Sequence, residues 1–269
     1  MGKFFANKGL RFSHIFSSDL QRAFKTAKAI RSWNDAVQPG QKVDVTALKC
    51  LREQDFGFYE GKPFYAPLKD STKSGKDTHR SQHEDDPDFK DVETKESMAL
   101  RVTEFLQDHL VPVLHGTPKG KDHAIAVVSH GIILSHLWRC FLKLLSKSSV
   151  TLYPGLSVGT SGVTPLEYLG GWSNTGYLEL DIQKQDSAQD STVESHKAAS
   201  PMLSQSSAPR NAETPPLLHG YYVSMRTVNG KEHLQGLKRT KGVGSSKFDE
   251  GQKSIDSFFK KRKVTSGQD

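Results

Sequence analysis

Ser129-His130-Gly131 is a polar triplet set between two different apolar patterns. Upstream, Ala124 to Val128 reads AIAVV, small or β-branched throughout, which predicts a strand buried on both faces. Downstream, Ile133, Leu137, Cys140, Phe141 and Leu144 recur at helical spacing, with Ser135, Arg139 and Lys143 between them. The carboxyl end of a buried strand, where a helix opens, is where α/β sheets place ligand chemistry. The helix N-terminus there favours an anion. Two further residues are placed to join such a site. Arg22 lies off the apolar stripe of a helix that follows a short strand; it is either a solvated helix arginine or one that points across the mouth of the sheet. Glu53 leaves the end of another strand-like run, before turns at Gly57 and Gly61. His79, His83, Glu84, Asp85 and Asp86 have no strong metal-ligand spacing and read as a solvated loop.

The elements that must carry these residues follow from periodicity. Met1 to Asn7 reads as the end of a helix, with Gly9 as its C-terminal cap. Phe12 to Phe16 reads as a strand. Ser18 with Gln21 predicts a capping box, and Leu20, Ala23, Phe24, Ala27 and Ile30 predict the buried face of the helix beyond. Val43 to Leu51 is strand-like, residues 66 to 91 read as a long loop or lid, and Val92 to Leu114 has helical periodicity. Thr175 to Ile182 alternates as a strand. Order returns at Tyr221 to Leu237, where Asn229-Gly230 either turns a hairpin or ends a strand.

Bulk composition sets the limits. A chain of 269 residues with 35% hydrophobic content has length for a core but points to a substantial disordered part. Residues 183–216, rich in Ser, Gln, Ala, Pro and Thr, are the expected disordered insertion. Two cysteines, Cys50 and Cys140, make no disulfide framework and suit a reducing compartment. No apolar run reaches membrane-spanning length, so no membrane partner is expected. Of the net charge of +7, Lys238 to Lys263 carries nine basic against three acidic residues, leaving the body near neutral.

Taken together, three segments resemble the histidine phosphatase superfamily, the phosphoglycerate-mutase-like fold. Ser17-Ser18-Asp19-Leu20-Gln21-Arg22 resembles its SSDLxRAxxTA helix start, and Leu51-Arg52-Glu53 with Phe56-Gly57 and Glu60-Gly61 its LxExxxGxxEG turn. Val127-Val128-Ser129-His130-Gly131 resembles its second histidine motif, Lys95-Glu96-Ser97 its later helix start, and Asn174-Thr175 its pocket-edge turn. The resemblance covers about residues 1–182 and implies an α/β three-layer sandwich, a mostly parallel sheet flanked by helices. It implies that Arg22 clamps phosphate, Glu53 donates a proton to the leaving group and His130 stabilises the transferring phosphoryl group. Arg and protonated His would supply the positive charge, so no metal or cofactor is expected. The family nucleophile is the histidine of an Arg-His-Gly motif on a first, central strand. The His-Gly pairs at His115, His130 and His219 follow Leu114, Ser129 and Leu218, so the motif and its strand are expected to be missing. Either a late start of the gene model or a degenerate member would account for this. Little or no turnover of a phosphorylated substrate is expected from these residues alone, with phosphatase preferred over mutase.

The remainder divides into a returning strand or hairpin at 217–240 and a basic tail at 241–269. In the tail, Gln252, Ile255, Phe258 and Phe259 match the Q-x-x-(I/L/M)-x-x-F-F pattern and resemble the PIP box that docks on the replication sliding clamp. Lys260, Lys261, Arg262 and Lys263 read as a nuclear localisation signal or a nonspecific nucleic-acid contact. These features imply a nuclear and/or cytoplasmic protein, with a non-catalytic nuclear adaptor as the alternative function.

Overall fold

The computed structural model describes residues 1–38, 40, 42–60, 80–81, 83–118, 123–146, 148–156, 166–185 and 216–237. Most of the 66–91 loop with His79, the 183–216 insertion apart from its first three residues and its last, and the whole tail with its clamp-like and basic motifs lie outside them.

The expected α/β architecture is present, with the strands among the described residues divided between two sheets of three. In the first, β1 (Phe12–Ser18) is central and pairs in parallel with β2 (Val45–Leu48) and with β3 (Ala124–Val128). Parallel neighbours need long crossovers, which helices supply. The β1–β2 crossover is α2 (Gln21–Val37), and α3 (Lys95–Phe105) and α4 (Val111–Gly116) precede β3. In the second sheet, β6 (Tyr221–Gly230) lies between β4 (Val150–Leu152), to which it is parallel, and β5 (Tyr177–Lys184), to which it is antiparallel. Asn229, next to last in β6, has φ of 49°, a left-handed conformation that asparagine tolerates.

Strand alternation sorts the core onto both faces of the first sheet. Ile15 and Ala126 join Phe5 of α1 (Gly2–Asn7), Ala27 and Ile30 on one face. Phe16, Ile125 and Val127 face α3 and α5 (Gly131–Leu142) on the other, packed with Met98, Val102, Phe105 and Ile133. Fully burying each such large side chain contributes about 1.5–3 kcal/mol.

Four local expectations differ from what forms. The Ser18–Gln21 capping box is absent: α2 starts after Leu20 with no side-chain cap, because Ser18 is the last residue of β1. The 43–51 strand pairs only over β2 and closes in a 3₁₀ turn, Lys49–Leu51. The 92–114 helix starts at Lys95 and is interrupted by a widened turn, Leu106–Leu110. Pro112 has no N–H to give to the preceding turn, and the helix takes up that loss in the wider turn just before it. Finally, β3 is not buried along its length: Ala126 is buried, and its four neighbours are half-buried. The reason is that, among the described residues, β3 ends its sheet and faces a crevice instead of another strand.

Candidate active site

The carboxyl ends of β1, β2 and β3 converge, as parallel strands require, and bring the three expected site residues to one place. His130 is the N-cap of α5, 7% exposed. Arg22, in the first turn of α2, donates its Nε–H to His130 Nδ1 at 2.9 Å. A guanidinium only donates, so Nδ1 is unprotonated. Nε2 then carries the proton and donates to Ser18 Oγ at 3.0 Å. Burial, and next the Arg22 charge, push the imidazole pKa below its ordinary value, with Arg101 adding to them and Glu53 opposing. The ring is therefore neutral with its tautomer fixed.

Glu53 reaches the same place from the β2 side. Its Oε1 accepts from the Ile133 N–H at 3.1 Å and its Oε2 from the Ile132 N–H at 3.4 Å. The anion that the helix N-terminus favours is thus supplied from within, by the Glu53 carboxylate. Ser129 ties the end of β3 to the same loop by donating to the Leu51 carbonyl at 2.7 Å.

Arg101 holds that loop in place. From α3 its Nη1 donates to the Cys50 and Arg52 carbonyls at 2.8 and 2.7 Å, and its Nη2 to the Glu53 carbonyl at 3.2 Å. Its Nε and Nη2 also grip the Glu93 carboxylate at 2.7 and 2.8 Å. Burial alone would raise the Glu93 carboxyl, but the Arg101 guanidinium and the Asp55 N–H hold it below its usual range. Further out, Arg52 forms a bidentate pair with Asp19 at 2.6 Å, and Asp55 pairs with Lys90. Gly57 lets the chain pass beneath Lys90: a Cβ there would lie 2.2 Å from the Lys90 carbonyl oxygen, and φ is +56°.

Sequence reasoning missed Ser18 as a partner of His130, because it was spent on a cap. It also missed Arg101, although a signal existed: Met98, Arg101, Val102 and Phe105 fall at helical spacing, so Arg101 is a charge on an apolar stripe. His83 pairs with Asp86 instead of gathering a ligand set, and no group of three or more metal-ligating side chains occurs among the described residues.

An arginine, a neutral histidine and a helix start bonded by Glu53 thus converge at the strand ends of an α/β sheet. The family model of the histidine phosphatase superfamily (branch 1) matches residues 2–172, and the chain belongs to that superfamily. A Hydrogenobacter thermophilus protein provisionally named phosphoserine phosphatase 2 is 35% identical over 134 residues, 46% of this chain. The chain spans 59% of the length of that curated relative. Among solved structures, a mycobacterial hydrolase matches with 15% identity and a TM-score of 0.47, covering 85% of this chain and 81% of that one. A mycobacterial glucosyl-3-phosphoglycerate phosphatase matches with 15% identity and a TM-score of 0.40, over 69% of this chain and 76% of that one.

Proposed function

We propose that the pocket binds the phosphoryl group of a phosphorylated substrate, as one wall of a phosphatase site, and that these 269 residues alone turn over little or none of it. The observation that carries this reading is the Arg22–His130–Ser18 chain at the strand ends. Arg22 is exposed and uses only Nε among the described residues, so its two Nη groups are available to phosphate oxygens. Protonating His130 at Nδ1 would break its bond from Arg22, a cost that an arriving dianion offsets. Glu53 in this reading leaves the α5 N–H groups as substrate enters and, in its protonated form, donates that proton to the leaving oxygen, returning to the carboxylate that the helix start holds. The Arg-His-Gly nucleophile of the family has no match in the sequence.

Titration with inorganic phosphate followed by ³¹P NMR tests the pocket. Arg22→Ala and His130→Asn are each expected to weaken binding at least tenfold, about 1.4 kcal/mol, with Tm unchanged. Undiminished affinity in both variants, or steady hydrolysis of p-nitrophenyl phosphate, would overturn the respective half of the proposal.

The tail supports a second, adaptor reading on its sequence, since Phe258 and Phe259 are paired aromatics in a polar segment. Peptide 248–265 is expected to bind the sliding clamp and to lose binding on Phe258→Ala with Phe259→Ala; equal binding would discard it.

A further inference from the structure

The N-terminal ends of β1 and β3 frame a cavity of about 770 Å³, at the opposite edge of the first sheet from Arg22 and His130. That size suits a small organic ligand. Its polar lining is Arg11, Ser13, His14, Gln38, Thr117 and His123, with no carboxylate among the described residues. Phe12, Pro112, Val113 and Pro118 supply an apolar wall. Ser13, His14 and Gln38 line this cavity and not the crevice between the two sheets.

The opening over His14 comes from an irregularity in β1. The register with β3 shifts between Phe12 and His14, so Ser13 is an extra residue on the central strand. Phe12 therefore shares a core face with Ile15, three residues on, where a regular strand would need an even spacing. His14 goes to the other face, stacked with Phe16 at a centroid distance of 6.0 Å. It is exposed, although Ile15 to Ser18 beyond it are all buried. Bulges re-aim side chains, and this one is held in place. Asn34, in the last turn of α2, accepts from the Phe12 N–H at 2.8 Å and donates to the Phe12 carbonyl at 3.2 Å. Gln38 donates in turn to Asn34 at 2.9 Å.

The donors around the cavity are set by their neighbours. The Ala124 N–H donates to the Arg11 carbonyl at 2.8 Å, which places Arg11 beside His123. The Arg11 side chain is exposed and spends one long bond, 3.4 Å, on the Leu10 carbonyl among the described residues. Thr117 gives its only hydroxyl hydrogen to the Val113 carbonyl at 2.8 Å, so it accepts from His123 Nε2 at 2.8 Å. Burial, and next the charge of His123, lower the His14 pKa, so the two imidazoles are close enough to repel when both are protonated. An anion between them offsets that repulsion. We infer that this cavity binds an organic phosphate dianion, its phosphate held by Arg11, His14 and His123 and its apolar body laid against Pro112, Val113 and Pro118. One fixed and two titratable positive groups match the charge and the several oxygens of a phosphate; a carboxylate brings one charge and two oxygens. A cleft lined by one sign of charge also concentrates such a ligand. The site shares no residue with the Arg22–His130–Ser18 chain and stands apart from the phosphatase reading.

Phenyl phosphate is the probe, followed on the full chain by NMR through the imidazole and backbone signals of His14, His123 and His130. The His14 and His123 signals are expected to move along one shared saturation curve. Arg11→Ala and His14→Gln, the latter read at His123, are each expected to weaken that binding at least tenfold. Both side chains are exposed, and Tm is expected to stay unchanged in both variants. Arg22→Ala is expected to remove only the response of His130 and to leave the His14–His123 curve in place, so the two readings fail separately. Shifts confined to His130, or a His14–His123 curve indifferent to Arg11→Ala, would overturn the proposal. Benzoate or inorganic phosphate binding there as tightly as phenyl phosphate would overturn its ligand class.

Discussion

Two arginines define the site in opposite ways. Arg22 is exposed and makes one side-chain bond, to a neutral histidine. Arg101 has a side chain 18% exposed, and it bonds the Cys50, Arg52 and Glu53 carbonyls as well as the Glu93 carboxylate. A guanidinium has five donors in a rigid fork. Arg101 commits its fork to the protein, and Arg22 keeps most of its own in reserve. One arginine positions the loop that carries Glu53, and the other, among the described residues, keeps its Nη donors uncommitted.

The comparison predicts that the more hidden arginine dominates stability and the more visible one dominates binding. Removing one partner of a buried ion pair costs about 3–5 kcal/mol because the other charge is left unpaired. Arg101→Met is expected to approach that figure in urea denaturation, and to weaken phosphate binding through displacement of Glu53. Arg101→Met with Glu93→Gln is expected to recover part of the stability, since no unpaired carboxylate remains. A single variant as stable as wild type would show that the loop is held without it.

A smaller effect separates the two regions by pH. Burial lowers His130, His14, His136 and His233 below their ordinary value of 6.5. The unfolded chain then binds more protons than the folded one just below pH 6.5, so stability rises with pH through that window and falls on acidification. The carboxyls held low, Asp19 first by Arg52, Asp55 first by Lys90, and Glu93, are lost only at more acid pH. Tm is therefore expected to fall in two steps. Saturating phosphate, which favours charged His130, is expected to flatten the first step; in His130→Asn it should not. An unchanged slope with phosphate in the wild type would remove His130 from the phosphate wall.

How much of this was readable in advance differs between the same regions. Arg22, Glu53 and His130 were legible because each ends a strand or opens a helix in a recognisable local pattern, and the parallel order of β1, β2 and β3 then brings them together. Ser18 was misassigned because a local rule for helix starts and a long-range bond to His130 compete for one hydroxyl, and only the fold decides between them. Arg101 was hidden because its five acceptors are mostly backbone carbonyls, which no side-chain motif records. The half-buried state of β3 could not be read from AIAVV. Its pattern encodes a covered strand, and which neighbours supply the cover is a property of topology.

The smallest test concerns the pair that looks strongest on geometry alone. Arg52 and Asp19 make two bonds of 2.6 Å, with ideal fork-to-fork chemistry and the Asp19 carboxyl held low by that contact. However, the Arg52 side chain is 47% exposed and Asp19 24%. Water screens such a pair, and the ordering of a long side chain opposes it, so its net worth is a small fraction of the Arg101–Glu93 pair's. Arg52→Ala is thus expected to shift stability by no more than that, and less at high salt. It leaves the Arg52 carbonyl in place for Arg101, so Glu53 should keep its position and phosphate affinity should change less than twofold. A loss matching that of Arg101→Met would mean that the outer arginine, and not the half-buried one, holds the loop.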